Sequence, residues 1–123
     1  MPDSLEATIL THLRASPGRR FTRADLVYLM KTCGFFREVS DLQADRKVRE
    51  AIESLRSNHP DGGHIVSLSR FSGYWWSENE KEIEAAQAED LSRIQATSAK
   101  VANRRRLLRE LEQARTMEGR LFP

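Results

Sequence analysis

The spacing of apolar residues in the first third of the chain predicts two short helices. Leu5, Ile9 and Leu13 are four residues apart, which places them on one face of a helix over residues 3–15. A second helix is predicted from Thr22, a capping residue with Asp25 at the third position after it, to about residue 32. Its predicted core residues are Leu26, Leu29 and Met30, and its predicted C-cap residue is Gly34.

A third helix is predicted over residues 40–57, with apolar and polar residues on opposite sides. Ser40 and Gln43 have the spacing of a capping box at its start. The side predicted to face the core carries Ala44, Val48, Ala51, Ile52 and Leu55. The opposite side is polar and free to meet another molecule, and it carries Gln43, Arg46, Glu50, Glu53 and Ser57, flanked by Lys47 and Arg49.

The pattern changes from helical to β-type after residue 57. Turn residues 58–63 precede a β-prone run over residues 64–70, and a short connection leads to Tyr74-Trp75-Trp76, which predicts a β-hairpin. Strand alternation should turn one tryptophan inward and the other outward. The outward indole could meet a partner protein or the C-terminal helix, and we expect the helix. Ser77 and Glu80 predict a further capping box, and residues 78–118 contain neither Gly nor Pro, which predicts one long helix.

This order of elements resembles a winged helix-turn-helix domain of the type found in small bacterial and phage regulators. The resemblance rests on residues 22–34 as the supporting helix, residues 40–57 as the recognition helix and residues 64–77 as the wing. It covers about residues 1–77 and implies a mainly α fold with a small β-hairpin wing there. The long charged C-terminal helix predicted above follows over residues 78–123. The link over residues 34–39 is longer than a tight turn, so we expect an elaborated turn or a different crossing of the two helices.

The resemblance implies that the polar side of the third helix contacts double-stranded DNA. In the major groove an amide can address adenine, an arginine or lysine can address guanine or phosphate, and a glutamate can accept from cytosine. The residues expected to make these contacts are Gln43, Arg46, Lys47, Arg49 and Glu50. Glu53 would repel phosphates and is expected outside the groove. The alternative is that this side of the helix is simply solvated.

Two further groups of residues can contact phosphates. At the wing, Arg70, Ser72 and Tyr74 offer one cation and two hydroxyls to the DNA backbone or the minor groove. Near the start of the second helix, Arg23 can reach a phosphate together with the free N–H groups of that helix, helped by Arg19 and Arg20. The alternatives are a purely structural hairpin and three solvated arginines.

Acidic and basic residues are segregated in the last predicted helix. Residues 78–90 carry six acids and one lysine, whereas residues 91–109 carry six basic residues and no acid. Ile94, Val101 and Leu108 repeat every seven residues, as in a coiled coil. We expect them to pair this helix antiparallel with a second copy, so that opposite charges face each other. A basic arm for DNA or RNA, or a helix folded back on its own domain, is the alternative.

Composition narrows the function. The 123 residues carry 20 Lys+Arg against 18 Asp+Glu, and a net charge of +2 does not by itself indicate a nucleic-acid-binding protein. The single cysteine, Cys33, excludes an internal disulfide, and with His59 and His64 it lacks the paired spacing of metal ligands. Neither a membrane-spanning apolar run nor a signal-peptide pattern is recognised, so we expect a cytoplasmic location.

Catalysis and cofactors are not expected, because the sequence has no glycine-rich phosphate loop and no motif of nucleophile and base. The sequence therefore predicts a double-stranded DNA-binding protein, a phage or mobile-element transcriptional regulator or replication accessory, that dimerises through its last helix. The alternatives are a winged-helix adaptor between proteins and a structural or assembly protein that acts through the C-terminal helix.

Overall fold

The structure, a computed structural model, describes residues 4–121. Its elements are helices α1 (Leu5–Ala15), α2 (Arg23–Thr32) and α3 (Asp41–Asn58), a 3-10 turn (Gly62–His64), strands β1 (Ile65–Val66) and β2 (Trp75–Trp76), and helix α4 (Glu80–Leu121). The predicted fold class is confirmed, since the chain is mainly helical with a small antiparallel hairpin and a long C-terminal helix. Position 3, where the first helix was predicted to start, lies outside the described residues.

Each of the first three helices begins at a side chain that caps it. The Ser4 hydroxyl accepts from the Ala7 N–H at 3.1 Å, and the Ser40 hydroxyl accepts from the Gln43 N–H at 3.2 Å. Thr22 and Asp25 form a complete capping box, in which each side chain accepts from the backbone N–H of the other at 3.0 Å. These bonds fix the helix starts because N–H groups of a first turn have no partner within the helix. The predicted cap at Thr22 is confirmed, whereas at Ser40 the structure shows one bond of the predicted capping box, from the Gln43 N–H to the Ser40 hydroxyl.

One hydrophobic core joins α1, α2, α3 and the hairpin. The five residues predicted for the inner side of α3 are all buried, and Val48 and Ile52 have no exposed surface. Leu29, predicted in the core, is partly buried against it. The other buried members of this core are Ile9, Leu10, Leu13, Phe21, Leu26, Met30, Ile65 and Trp76.

The hairpin is attached to the segment between α1 and α2. Ile65 lies opposite Trp76 and Val66 opposite Trp75, and Phe21 adds an isolated antiparallel bridge to Tyr74 through two backbone hydrogen bonds of 2.8 Å. Gly73 makes this close approach possible: its φ is +97°, and a Cβ there would lie 2.7 Å from the Phe21 carbonyl oxygen. The pattern of the sequence does not predict this bridge.

The first strand is shorter than the predicted run over residues 64–70. His64 belongs to the 3-10 turn, and its N–H donates to the Asp61 carbonyl at 3.1 Å. Beyond Val66 the backbone turns, and the Phe71 N–H donates to the Leu68 carbonyl at 3.0 Å. The composition of residues 64–70 favours a longer strand, but a local turn forms instead. The turn uses backbone N–H and C=O groups that a longer pair of strands would need for hydrogen bonds between them.

The two tryptophans lie on opposite faces of β2, as predicted, and each is only 5% exposed. Trp76 belongs to the main core, whereas Trp75 forms a smaller core with Val66 and with Ala86 of α4. The expectation that the outward indole meets the C-terminal helix is confirmed.

The predicted capping box of Ser77 and Glu80 is wrong. Ser77 is buried, and its hydroxyl donates to the Glu82 carboxylate at 2.8 Å. Asn79 supplies a cap instead, because its side-chain oxygen accepts from the Lys81 N–H at 2.9 Å. Ser77 does not cap the helix because its hydroxyl is hydrogen-bonded to the Glu82 carboxylate. The same carboxylate accepts from the Trp75 indole at 2.7 Å, so it joins both residues to α4.

The link between α2 and α3 is elaborated, one of the two expected outcomes. Gly34, Phe36 and Glu38 have φ values of 95°, 63° and 61°, in the left-handed region that non-glycine residues rarely adopt. Phe35 and Phe36 are partly buried against the main core. Their packing offsets the cost of left-handed backbone, which is about 1 kcal/mol or more per residue.

The structure divides into two compact units after Ala86, about two turns into α4. The division predicted from the sequence lay after Ser77. The difference arises because Ile83 and Ala86 pack on Trp75, so the start of α4 belongs to the first unit.

Candidate nucleic-acid interface

The side of α3 opposite the core is exposed along its whole length. We call this surface the outer face, and it consists of Leu42, Gln43, Arg46, Arg49, Glu50 and Glu53. Lys47 is also exposed but lies at its edge, beside a shallow cavity that the capping residue Ser4 and Leu5 of α1 help to line. The structure thus brings together the five α3 residues predicted to contact DNA.

Arg46 and Glu50 form an ion pair on the outer face, with 3.0 Å between Arg46 Nε and Glu50 Oε1. Both side chains are more than half exposed. Such a pair between exposed residues four apart stabilises a helix by about 0.3–0.5 kcal/mol. It is weak enough to be exchanged for contacts with another molecule.

Leu42 belongs to the outer face although the sequence pattern did not single it out. It is 81% exposed, at the start of α3, on the same side as Arg46 and Arg49. The signal in the sequence was its position on the helical wheel, where it is an apolar residue opposite the core stripe. An exposed leucine there can make an apolar contact with a bound molecule.

Two ion pairs hold α2 against α3 beside the outer face. Lys31 Nζ lies 2.6 Å from Asp41 Oδ1, and Arg23 Nε lies 3.4 Å from Asp45 Oδ1. The hydrogen bond and the charge of Lys31 lower the pKa of Asp41 below its ordinary value of 3.8. The structure therefore pairs Arg23, a predicted phosphate contact, with a carboxylate of the neighbouring helix.

Arg20 lies next to the wing, and it extends the predicted site there. Its guanidinium carbon is 4.2 Å from the centroid of the Phe71 ring, which meets the Trp75 ring edge-on at 6.3 Å. Its neighbour Phe21 is bridged to Tyr74, which explains the proximity. We call the exposed residues Arg20, Arg70, Phe71 and Ser72 the wing patch. Tyr74 is half-buried behind it.

A partly buried carboxylate fixes the base of the wing. Glu82 accepts hydrogen bonds from the Trp75 indole and the Ser77 hydroxyl, and these bonds hold the pKa of its carboxyl below the ordinary value of 4.5. The Arg20 guanidinium lowers it further. The hairpin that carries the wing patch is therefore joined to α4 by hydrogen bonds to the Glu82 carboxylate.

Ile94, Val101 and Leu108 lie in the second unit and are exposed along α4. Their spacing of seven residues on one continuous helix keeps them on one face, which we call the α4 stripe. Its pairing with a second copy stays a prediction.

Cys33, His59 and His64 have separate surroundings. Cys33 is exposed at the end of α2, His59 Nδ1 accepts from the Asp61 N–H at 3.0 Å, and His64 stacks on Trp76 with 4.4 Å between ring centroids. Among residues 4–121, no three His, Cys, Asp or Glu side chains are grouped as metal ligands would be. No helix in the described part of the chain is long and apolar enough to span a membrane.

Comparisons of the chain with family models, with curated proteins and with solved structures find no match. The resemblance to winged helix-turn-helix domains therefore stays a prediction from the order of elements in the sequence.

Proposed function

We propose that this chain binds double-stranded DNA through the outer face of α3, which enters the major groove, without catalysing a reaction. The observation that carries the proposal is the two-sided build of α3. Its inner side is buried in the core, whereas its outer face exposes hydrogen-bonding and apolar groups in the first turns. The major groove accommodates an α-helix and distinguishes base pairs through groups of this kind.

The groups at the start of α3 match groups of the base edges. Arg46 can donate to O6 and N7 of guanine, Gln43 can pair with adenine, and Leu42 can meet a thymine methyl group. Glu50 can accept from N4 of cytosine. The weak ion pair of Arg46 with Glu50 would then be exchanged for contacts with a single G·C base pair.

Phosphate contacts are proposed at the edges of this surface. Lys47 and Arg49 are exposed, and no ion pair engages either of them within residues 4–121. Arg20, Arg70 and Ser72 of the wing patch supply further cations and a hydroxyl. Such contacts set the orientation of a protein on the duplex without reading its sequence.

The proposed biological role is that of a phage or mobile-element transcriptional regulator or replication accessory. The support for this role is the resemblance of the element order to small regulators of that kind.

A protein–protein adaptor is the second candidate function. It is favoured by the charge of α3, in which Asp41, Asp45, Glu50 and Glu53 offset Arg46, Lys47, Arg49 and Arg56. It is also favoured by the exposure of Tyr28, which is 73% exposed and lines a cavity between α2 and α3. A charge-balanced surface with exposed apolar residues suits a protein partner as well as it suits DNA.

Fluorescence anisotropy of a labelled mixed-sequence duplex, titrated at low and moderate salt, tests the proposal. The variant R46A/K47A/R49A is expected to bind at least about tenfold more weakly, with a salt dependence reduced by about 0.9 for each phosphate that the variant no longer neutralises. Glu53→Ala, on the same face but farther along α3, is the control and should bind at least as well as the wild type. No binding at low salt would favour the adaptor, and equal binding by the triple variant would show that the outer face is not the DNA contact.

A further inference from the structure

We propose that residues 91–109 of α4, here called the basic segment, form a second contact surface for duplex DNA. The inference rests on the proposed function, because it takes duplex DNA, the proposed ligand of α3, as the ligand of the basic segment as well. The cations of this segment are Arg93, Lys100, Arg104, Arg105, Arg106 and Arg109, and it contains no acid.

Most of these cations have no carboxylate partner. Arg93 pairs with Glu89 at 3.8 Å and with Asp90 at 3.3 Å. Within the described residues no carboxylate pairs with any of the other five, although Arg106 donates to the Asn103 side chain at 2.9 Å. All five are exposed. The charge of residues 100–109 is therefore not compensated by ion pairs within the described residues.

The charge density of this segment matches that of a nucleic-acid backbone. Five cations fall within residues 100–109, which span about 15 Å of helix axis at about 1.5 Å per residue. The mean spacing is about 3 Å per cation, close to the spacing of about 3.4 Å per charge along one strand of B-DNA. At about 100° per residue, Arg105, Arg106 and Arg109 fall within about 100° of one another, so one side of the helix presents three of the five cations to a duplex.

The arrangement of the cations is unfavourable for the helix alone. Lys100 and Arg104 are four residues apart, as are Arg105 and Arg109, so like charges are neighbours on the helix surface. Each such pair destabilises an isolated helix by roughly 0.2–0.5 kcal/mol. A bound polyanion removes this repulsion, and the helix should therefore become more stable when DNA is bound.

A second copy of the chain is less well matched to the basic segment. Of the six acids in residues 78–90, Glu82 is bonded to Trp75 and Ser77, and Glu89 and Asp90 pair with Arg93. The remaining acids are Glu78, Glu80 and Glu84. In the antiparallel register that opposes residues 78–90 to the basic segment, these three carboxylates do not balance five cations, whereas a duplex supplies two phosphates per base pair.

The test uses the full chain and the duplex anisotropy assay. R104A/R105A/R106A removes three cations from the basic segment and keeps helix propensity high. E110A/E112A/E118A is the matched control, because it changes three exposed charges of the same helix in the opposite direction. We expect the arginine variant to bind about tenfold or more weakly. The slope of log affinity against log salt concentration should become shallower by about two to three. The glutamate variant should change affinity by less than about threefold, because phosphates lie at the basic segment.

Four results distinguish the outcomes. A loss confined to the arginine variant supports the inference. If R46A/K47A/R49A weakens DNA binding and R104A/R105A/R106A does not, the inference is wrong while the proposed function stands. If both α4 variants shift affinity equally in opposite directions, net charge alone acts and the inference is wrong. If the wild type binds polyglutamate as strongly as DNA, or if R104A/R105A/R106A only abolishes self-association in sedimentation, the occupant is an acidic protein or a second copy.

Discussion

Helix α3 and the basic segment of α4 are both helical and both rich in arginine, but they are built for different contacts. The inner side of α3 is buried in the core. The acidic and basic residues of the whole helix are equal in number, so its net charge is zero. The basic segment is exposed on every side and carries six cations without an acid. A rigid, charge-balanced face suits recognition of base edges, whereas dense uncompensated charge suits attraction to any phosphate backbone.

The largest expected effect is a difference between α3 and α4 in how much one apolar side chain contributes to the free energy of unfolding. Ile52→Ala should lower the free energy of unfolding by about 2–5 kcal/mol, because Ile52 is fully buried on the inner side of α3. Ile94→Ala, in the α4 stripe, is the control and should change it by less than about 0.5 kcal/mol at low protein concentration, because Ile94 is exposed. Urea unfolding followed by tryptophan fluorescence measures both. Equal losses would contradict the described burial.

A second effect tests how the wing is attached. Gly73→Ala should lower the free energy of unfolding by about 2 kcal/mol, because the new Cβ would meet the Phe21 carbonyl at a positive φ. Gly63→Ala is the matched control, since a Cβ there meets no atom within 4 Å. Thermal unfolding compares the two variants. A tolerated Gly73→Ala would mean that Phe21 is not bridged to the wing.

A smaller effect depends on pH. Glu82→Ala should cost about 1–3 kcal/mol at pH 7, because the Trp75 indole and the Ser77 hydroxyl lose their acceptor in a buried position. The folded-state pKa of Glu82 is lowered, so its contribution is complete above 4.5 and disappears as pH falls through that lowered pKa. Thermal unfolding of variant and wild type at pH 7 and at pH 3 should show the difference shrinking in acid. Glu84→Ala, at an exposed carboxylate of the same helix, is the matched control and should change the free energy of unfolding by less than about 0.5 kcal/mol at pH 7.

The smallest effect concerns the outer face itself. Glu50→Gln removes the ion pair with Arg46 and should change the free energy of unfolding by no more than about 0.5 kcal/mol. Its effect on affinity should depend on DNA sequence, because Glu50 is proposed to accept from cytosine. A uniform gain on all duplexes, measured by anisotropy, would show that Glu50 only repels phosphates.

Local signals in the sequence were sufficient for the three helices and for the core of α3. Thr22, Ser40 and the stripe from Ala44 to Leu55 act through neighbours within one or two helical turns, so their spacing carries the information. The bridge of Phe21 to Tyr74 and the withdrawal of Ser77 by Glu82 depend on which segments meet in space. The position of Arg20 beside the wing and the ion pair of Arg23 with Asp45 also join segments that are distant in sequence. Local spacing therefore could not predict them.

The central claim is that the outer face of α3 meets DNA, and the most direct test is NMR chemical-shift mapping of the ¹⁵N-labelled chain titrated with a duplex. The account predicts the largest shifts at Leu42 to Glu50 and at the wing patch, with smaller shifts in the basic segment. Shifts confined to Tyr28 and the α2 side, or no shifts at low salt, would contradict it.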